Sequence, residues 1–385
     1  MQGILSFLKN HRHLLWIYCG VSIIAILHRW WLGPEHLRNF LIFREATFNL
    51  FAGKDIYQHA TALGLELDLF KYSPAFALLF APFAYMPVWL GYLSWNLINV
   101  LALYFSIARF PFLKDKLWIL LILVFFDTLT ALQNSQSNAL MAALMISALA
   151  DFENGKPGQA AWALTSSFFI KLFSGVAFVL FLFYPGKLRF LITSALAFLF
   201  FAFLPLFIVD LTQLQFLYRS WFDMLRNDQA TWRGISVPGI LYSWFGLDVP
   251  RTPLQLASLL LLLTPLAFFK SFQARRQRLL FFASLMIWVI VFNHRAESAT
   301  FVIAMCGMGF WYFCDTPNRW RLALLLFAVV FISLSPTDLF PRVVRKSIVE
   351  PYCLKALPAV IGWFVIQYEL YRNALRKKPD GFVLA

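Results

Sequence analysis

Six short polar runs interrupt an otherwise apolar chain, and their side chains are of the kinds that move protons and hold anions. The first ends Glu66-Leu-Asp68-Leu-Phe-Lys71-Tyr72-Ser73-Pro74, with a carboxylate three residues from an ammonium. The second is Gln133-Asn-Ser-Gln136-Ser-Asn138, and the third is Lys171 alone, near Ser174-Gly175. The fourth carries Asp223 and the stretch Arg226-Asn-Asp228 to Trp232-Arg233-Gly-Ile-Ser236. The fifth is Asn293-His294-Arg295-Ala-Glu297-Ser298, and the sixth holds Arg342, Arg345 and Lys346. A carboxylate can take the proton of a hydroxyl, and Lys, Arg or His can stabilise a developing anion. Each run also has a structural reading. Gln136 and Asn138 fit a helix cap near Ser135 or Ser137, and Lys171 could snorkel out of an ordinary span. His294 and Glu297, three apart at an expected helix start, could bond each other. Asp223 and Asp228 read as solvated surface. Two runs favour function: apolar flanks leave Lys171 nowhere to reach, and ionisable groups wedged between apolar helices usually mark sites.

The elements that position these groups follow from composition. The 385 residues are 61% hydrophobic and 14% charged, with a mean hydropathy of +0.69; soluble domains hold about 45–50% apolar and about 25% charged residues. Disorder, a disulfide scaffold, collagen and a large soluble catalytic domain are excluded, leaving an all-α polytopic membrane protein. Cys19, Cys306, Cys314 and Cys353 lie in or beside apolar runs without a Cys-x-x-Cys pair, so they read as apolar filler, and no metal site is expected. No dinucleotide or P-loop glycine pattern and no His-Glu-x-x-His is present, so no cofactor is expected. The basic excess is dispersed among short links, which argues against nucleic acid.

A span needs about 20 apolar residues. The run Leu14–Leu32 supplies a first one, read as retained because Trp30, Trp31 and Gly33-Pro34 follow instead of a cleavage site. In the loop 33–73, Phe40, Phe43, Thr47, Leu50 and Phe51 recur at helical spacing and predict an amphipathic helix on the membrane surface. Further runs occur near 88–110, 117–132, 137–151, 188–209, 254–270, 279–293, 297–314, 320–336 and 352–372. The stretch 159–185 is expected to break at Lys171, because a mid-bilayer lysine costs about 2.5–3.5 kcal/mol. The sum is about twelve transmembrane helices in one integral membrane domain, 1–385. With the N-terminus inside, the links expected in the cytoplasm carry 15 Lys and Arg against three acids, among the basic residues Lys114, Lys187, Arg275, Arg276, Arg319 and Arg321. The opposite links mix both signs, and all six polar runs fall on that side. There the loops 33–73 and 210–253 would form a roof over the site. No internal repeat is visible, which weighs against a lipid-linked glycan transporter.

Taken in order, Asn39-Phe-Leu-Ile-Phe-Arg-Glu45, Gly53-Lys-Asp-Ile-Tyr57, Lys71-Tyr-Ser-Pro-Ala-Phe76 and Trp95-Asn-Leu-Ile-Asn99 resemble glycosyltransferase family 87. Gln136-Ser-Asn138, Lys171, Gly234-Ile-Ser-Val-Pro-Gly239 and Asn293-His-Arg-Ala-Glu-Ser-Ala-Thr-Phe301 are similar to forms in its Bacteroidetes branch. The resemblance implies a GT-C-type bundle in a bacterial inner membrane. It also implies transfer of a sugar, commonly mannose, from a polyprenyl-phosphate donor to a lipid or glycan acceptor on the extracytoplasmic face. Actinobacterial members place a catalytic aspartate where this chain has Asn39, and an amide cannot serve as a base. Asp68, Glu45 and Glu297 are then the candidate bases, Asp68 first because Lys71 and Tyr72 follow it. Asn39, Lys71, Tyr72, Gln136, Asn138, Lys171, His294, Arg295 and Arg345 are the expected substrate contacts. A catalytically inactive protein of this fold that binds lipid is the competing reading. Cysteines introduced at Asp223 and Ser298 are expected to react with an impermeant thiol reagent from outside the cell; reaction from the cytoplasmic side alone would overturn the topology.

Overall fold

The computed structural model describes residues 10–227, 233–316 and 318–375. Asp228 and Trp232, named above, lie outside these residues. The described chain is helical apart from one pairing of Thr61–Ala62 with Leu65–Glu66. Among the described residues, four helices are long and apolar enough to cross a membrane: Arg12–Trp31, Val88–Ala108, Lys187–Phe207 and Arg251–Gln273. The other expected spans are shorter or interrupted. Leu117–Gln133 is a shorter apolar helix, the segment at 297–314 opens with a 3₁₀ turn at Ser298–Thr300, and that at 320–336 passes into a π-helical stretch at Val329–Leu334. Contacts group the chain into two compact units, one of residues 10–106 and 131–230, the other of residues 1–9, 107–130 and 231–385.

In the unit of residues 10–106 and 131–230, the first helix starts at Asn10, whose side chain caps Arg12 N at 3.0 Å. It ends before Gly33, a left-handed position with φ of 106°, followed by Pro34. The loop helix Arg38–Phe51 forms where the amphipathic pattern predicts it. Its apolar side, Phe40, Leu41, Phe43, Ala46 and Leu50, is buried against protein. Membrane-surface docking of that side is therefore corrected. Phe43 lies 4.8 Å from the Tyr72 ring, 5.3 Å from Phe76 and from Phe80, and 6.0 Å from Trp95. Edge-to-face aromatic packing of this kind is worth about 0.5–1.5 kcal/mol per pair beyond area. Thr47 Oγ1 donates to the Ala77 carbonyl at 2.7 Å and ties the helix to the segment after Ser73. Val88–Ala108 closes on this cluster through Gly91, where a side chain would collide with the Phe83 carbonyl and touch the Phe40 ring.

Lys171 ends the helix Pro157–Ile170 in extended geometry, with φ of −141° and ψ of 120°, and a 3₁₀ segment Leu172–Phe183 follows. The break expected from the cost of a mid-bilayer charge is present.

In the other unit, Arg275–Val291, Phe301–Phe313 and Leu357–Leu375 form a mostly buried core. Arg321 is 1% exposed. Its guanidinium pairs with Glu369, Nε to Oε1 at 3.2 Å, and lies over the Trp311 ring at 5.0 Å. Arg321, counted above among the basic residues of the cytoplasmic links, is an internal ion-pair member. A buried guanidinium needs such a partner because isolated burial of a charge is prohibitive.

Gly91→Ala is expected to lower stability by about 1–3 kcal/mol through overpacking, read as a fall in melting temperature in detergent. Gly20→Ala, where an added Cβ meets nothing within 4 Å, is the control that should melt like the unaltered protein.

Candidate active site

The first unit gathers most of the sequence-predicted contacts around the turn at 133–138. Ser135 holds the turn in a left-handed conformation, φ 53°, and its N–H donates to the Leu132 carbonyl at 2.8 Å. Three side chains fasten this turn to the rest of the unit. Asn39 Nδ2 donates to the Asn134 carbonyl at 2.8 Å, Trp95 Nε1 to the Ser135 carbonyl at 2.9 Å, and Asn99 Oδ1 accepts from Leu140 N at 3.0 Å. The turn thereby presents Gln136 and Asn138 to Lys171. Lys171 Nζ donates to Asn138 Oδ1 at 2.7 Å, while Asn138 Nδ2 donates to Gln136 Oε1 at 2.5 Å. Ser137 occupies the cap position of Asn138–Glu153 without a side-chain cap bond. The capping reading of Gln136 and Asn138 is therefore replaced: Asn138 accepts from the ammonium, and Gln136 accepts from Asn138.

Aromatic faces complete that environment. The Lys171 ammonium is 5.6 Å from the Tyr72 ring centre and 5.9 Å from that of Phe173, distances at which ring quadrupoles attract a cation. Tyr72 is held through its backbone, since its carbonyl accepts from Tyr57 Oη at 3.0 Å. Ser73 caps the short helix Pro74–Leu79 and donates to the Phe169 carbonyl at 2.5 Å, two residues before Lys171. The segment 71–74 and the helix break at 171 are thus fixed to each other.

The carboxylates differ in environment. Asp68 is delivered by the hairpin 61–66, whose turn residues Leu63 and Gly64 both have positive φ. Arg38 Nη1 anchors that hairpin at the Glu66 carbonyl, 2.9 Å away. The Asp68 side chain is 67% exposed, with Oδ2 3.6 Å from Lys71 Nζ and Oδ1 accepting from Leu69 N at 2.8 Å. It therefore lies four residues from the ring that faces Lys171. Glu45 is half-buried, and desolvation raises its carboxyl pKa against the opposing effect of Arg44. At about 100° per residue, Glu45 stands roughly 200° around its helix from Phe43, away from the side that meets Tyr72. Asp55, which the sequence reading did not single out, accepts from Ser220 Oγ at 2.8 Å and from Tyr57 N at 3.0 Å.

The second unit holds the remaining predicted residues. Asn293 Oδ1 accepts from Arg295 N at 2.9 Å and the Asn293 carbonyl from Ala296 N at 3.0 Å. This Asx-type turn competes with helix formation. His294 and Glu297 therefore belong to a turn, and the shared helical face is corrected. The turn packs on Gly234, where a Cβ would lie 2.5 Å from the His294 carbonyl oxygen, and Ile235 N donates to the Ala296 carbonyl at 2.8 Å. Glu297 is exposed. Arg345 lines a cavity of about 660 Å³ together with Arg233, Ser298, Glu350 and Lys355. Arg345 Nη1 donates to the Pro336 carbonyl at 3.0 Å and stands 3.7 Å from Asp338 and 3.9 Å from Glu350.

Sequence reasoning missed Lys355 and its partner Asp127, 3.3 Å away and wholly buried. A single carboxylate inside the apolar run 117–132 was the available signal. Cys353 also departs from its expected role as filler, since it lines the cavity.

The model of glycosyltransferase family 87 matches residues 70–296, more than half of the chain. No curated protein matches it. The matched segment includes Tyr72, the turn at 133–138, Lys171, Arg233 and the turn at 293–296.

Asn138→Leu removes the acceptor of the Lys171 ammonium and is expected to cost about 1.5–3 kcal/mol. Asn138→Asp, which keeps an acceptor, should restore most of the melting temperature; equal loss in both variants would count against the bond.

Proposed function

The chain belongs to glycosyltransferase family 87, a family of membrane glycosyltransferases, and on that premise we propose that it transfers a sugar from a polyprenyl-phosphate-linked donor. In this reading the sugar is mannose, the acceptor is a lipid or glycan, and transfer occurs on the extracytoplasmic face of a bacterial inner membrane. The observation that carries the proposal is Lys171: a cation at a helix break, bonded to Asn138 and facing Tyr72. A lipid phosphate sits at the headgroup plane, where its leaving oxygen needs a cation and where a broken helix can present one.

The residues divide the work as follows. Asp68 takes the proton of the acceptor hydroxyl as that oxygen bonds the anomeric carbon. The bond from that carbon to the phosphate oxygen breaks, and the polyprenyl phosphate leaves with the bonding pair. Lys171 stabilises the phosphate, while Gln136 and Asn138 fix its direction. Lys71 pairs with Asp68 at 3.6 Å, and Tyr72 bridges the base segment to the cation. Asp68 is preferred over Glu45 because it pairs with Lys71, which Tyr72 follows in the chain, whereas Glu45 lies away from the helix side that meets Tyr72.

One observation favours a second reading, that of a non-catalytic lipid-binding protein. Asn39 uses its amide as a donor to the Asn134 carbonyl, a bond that a carboxylate could not make, so this slot acts as a strut and not as a base.

Purified protein incubated with a panel of polyprenyl-phosphate sugars and native lipid extract, with products read by mass, separates the readings. Asp68→Asn is expected to reduce transfer about 10²–10⁴-fold without lowering the melting temperature. Full activity would remove Asp68 as the base, and no product from any donor would favour the second reading. Lys171→Ala, in the same preparation, should weaken donor binding.

A further inference from the structure

We infer that the cavity of the second unit binds a phosphate group, with Arg233, Arg345 and Lys355 supplying the positive charge. The inference is independent of the transfer reading above, which assigns the donor phosphate to Lys171. The cavity, of about 660 Å³, falls in the range of small-ligand sites. Its three cations come from three separate segments: the loop before Val237–Phe245, the π-helical stretch Arg345–Val349, and the turn before Leu357–Leu375.

Each cation is held in place before any ligand arrives. Arg233 stacks over the Tyr242 ring at 3.6 Å and grips Asp248 through two bonds, at 2.8 and 3.1 Å. Arg345 is fastened to the Pro336 carbonyl. Lys355 is 4% exposed; its ammonium lies 3.3 Å from Asp127 Oδ1, while Ser333 Oγ donates to Asp127 Oδ2 at 2.6 Å. An ammonium has three donors, so one carboxylate oxygen does not exhaust it. Burying the remainder is costly unless an acceptor enters.

Two further features mark a prepared wall. Ser298 Oγ is buried and lacks a hydrogen-bond partner among the described residues. Cys353 holds a left-handed backbone, φ 51°, a strain that clusters at binding sites. Two of the acids that pair with these cations face solvent. Asp248 and Asp338 are largely and fully exposed, and Glu350, which lines the cavity, is half-exposed and bonded to Lys346 at 2.8 Å. Exposed pairs of this kind are weak. Multi-donor cations converging from different sides match the several oxygens of a phosphate better than the two of a carboxylate. The phosphate could belong to a lipid headgroup or to a soluble molecule. Tyr242, Trp244 and Phe245 are exposed on the neighbouring helix, as in proteins that meet a membrane interface.

The test is binding of dodecyl phosphate, inorganic phosphate and dodecanol to the full chain in neutral detergent, by native mass spectrometry. Saturable binding of either phosphate compound, weakened about tenfold or more in Arg233→Gln and in Arg345→Gln, is the expected result. Tighter binding of dodecyl phosphate than of inorganic phosphate would assign the site to a lipid headgroup; equal binding would assign it to the phosphate of a soluble molecule. Lys355→Gln strands Asp127 and is prone to misfold, so the two arginine variants carry the decision. Wild-type affinity in both of them, or dodecanol binding as strongly as dodecyl phosphate, would overturn the inference.

Discussion

The bond from the Lys171 ammonium to Asn138 Oδ1 is the constraint around which the first unit is arranged. A charge within an apolar run cannot remain in hydrocarbon, and it cannot be left without acceptors inside protein. The helix stops at that residue, the chain continues as a 3₁₀ segment, and a turn from another part of the sequence is brought up to meet the ammonium. That turn needs its own support, which Asn39, Trp95 and Asn99 provide. The aromatic packing of Phe43 against Tyr72, Phe76 and Trp95 in turn fixes where those side chains stand.

The second unit solves the same problem differently. It buries whole ion pairs, Arg321 with Glu369 and Lys355 with Asp127. The first gains further partners in Trp311, whose indole donates to Glu369 and whose carbonyl accepts from Arg321, and in Asp315, 3.4 Å from Arg321. The second opens onto a cavity. A buried pair closed on all sides serves structure, whereas one that borders a cavity retains donors for a ligand. The two pairs use similar chemistry, and their surroundings separate their roles.

The slot filled by Asn39 illustrates how one atom changes a role. An aspartate there could take a proton, whereas the asparagine donates one to a backbone carbonyl and braces the turn that serves Lys171. On the same loop, the hairpin at 61–66 carries Asp68, the base in the proposed reading, toward Lys71.

By itself the sequence determined the helical membrane class, the break at Lys171, the loop helix at 38–51 and the importance of the turn at 133–138. Each of these follows from local hydropathy, from helical period or from the cost of a charge in an apolar run, and all are properties of a few consecutive residues. Tertiary structure alone decided the partners. Asp127 and Lys355 are 228 positions apart and Arg321 and Glu369 are 48 apart, so no window of sequence pairs them. The side on which the loop helix buries its apolar residues, the turn in place of a helix at 294–297, and the convergence of Arg233, Arg345 and Lys355 were likewise set by packing between distant segments. Periodicity states that a face is apolar; only the assembled chain states what covers it.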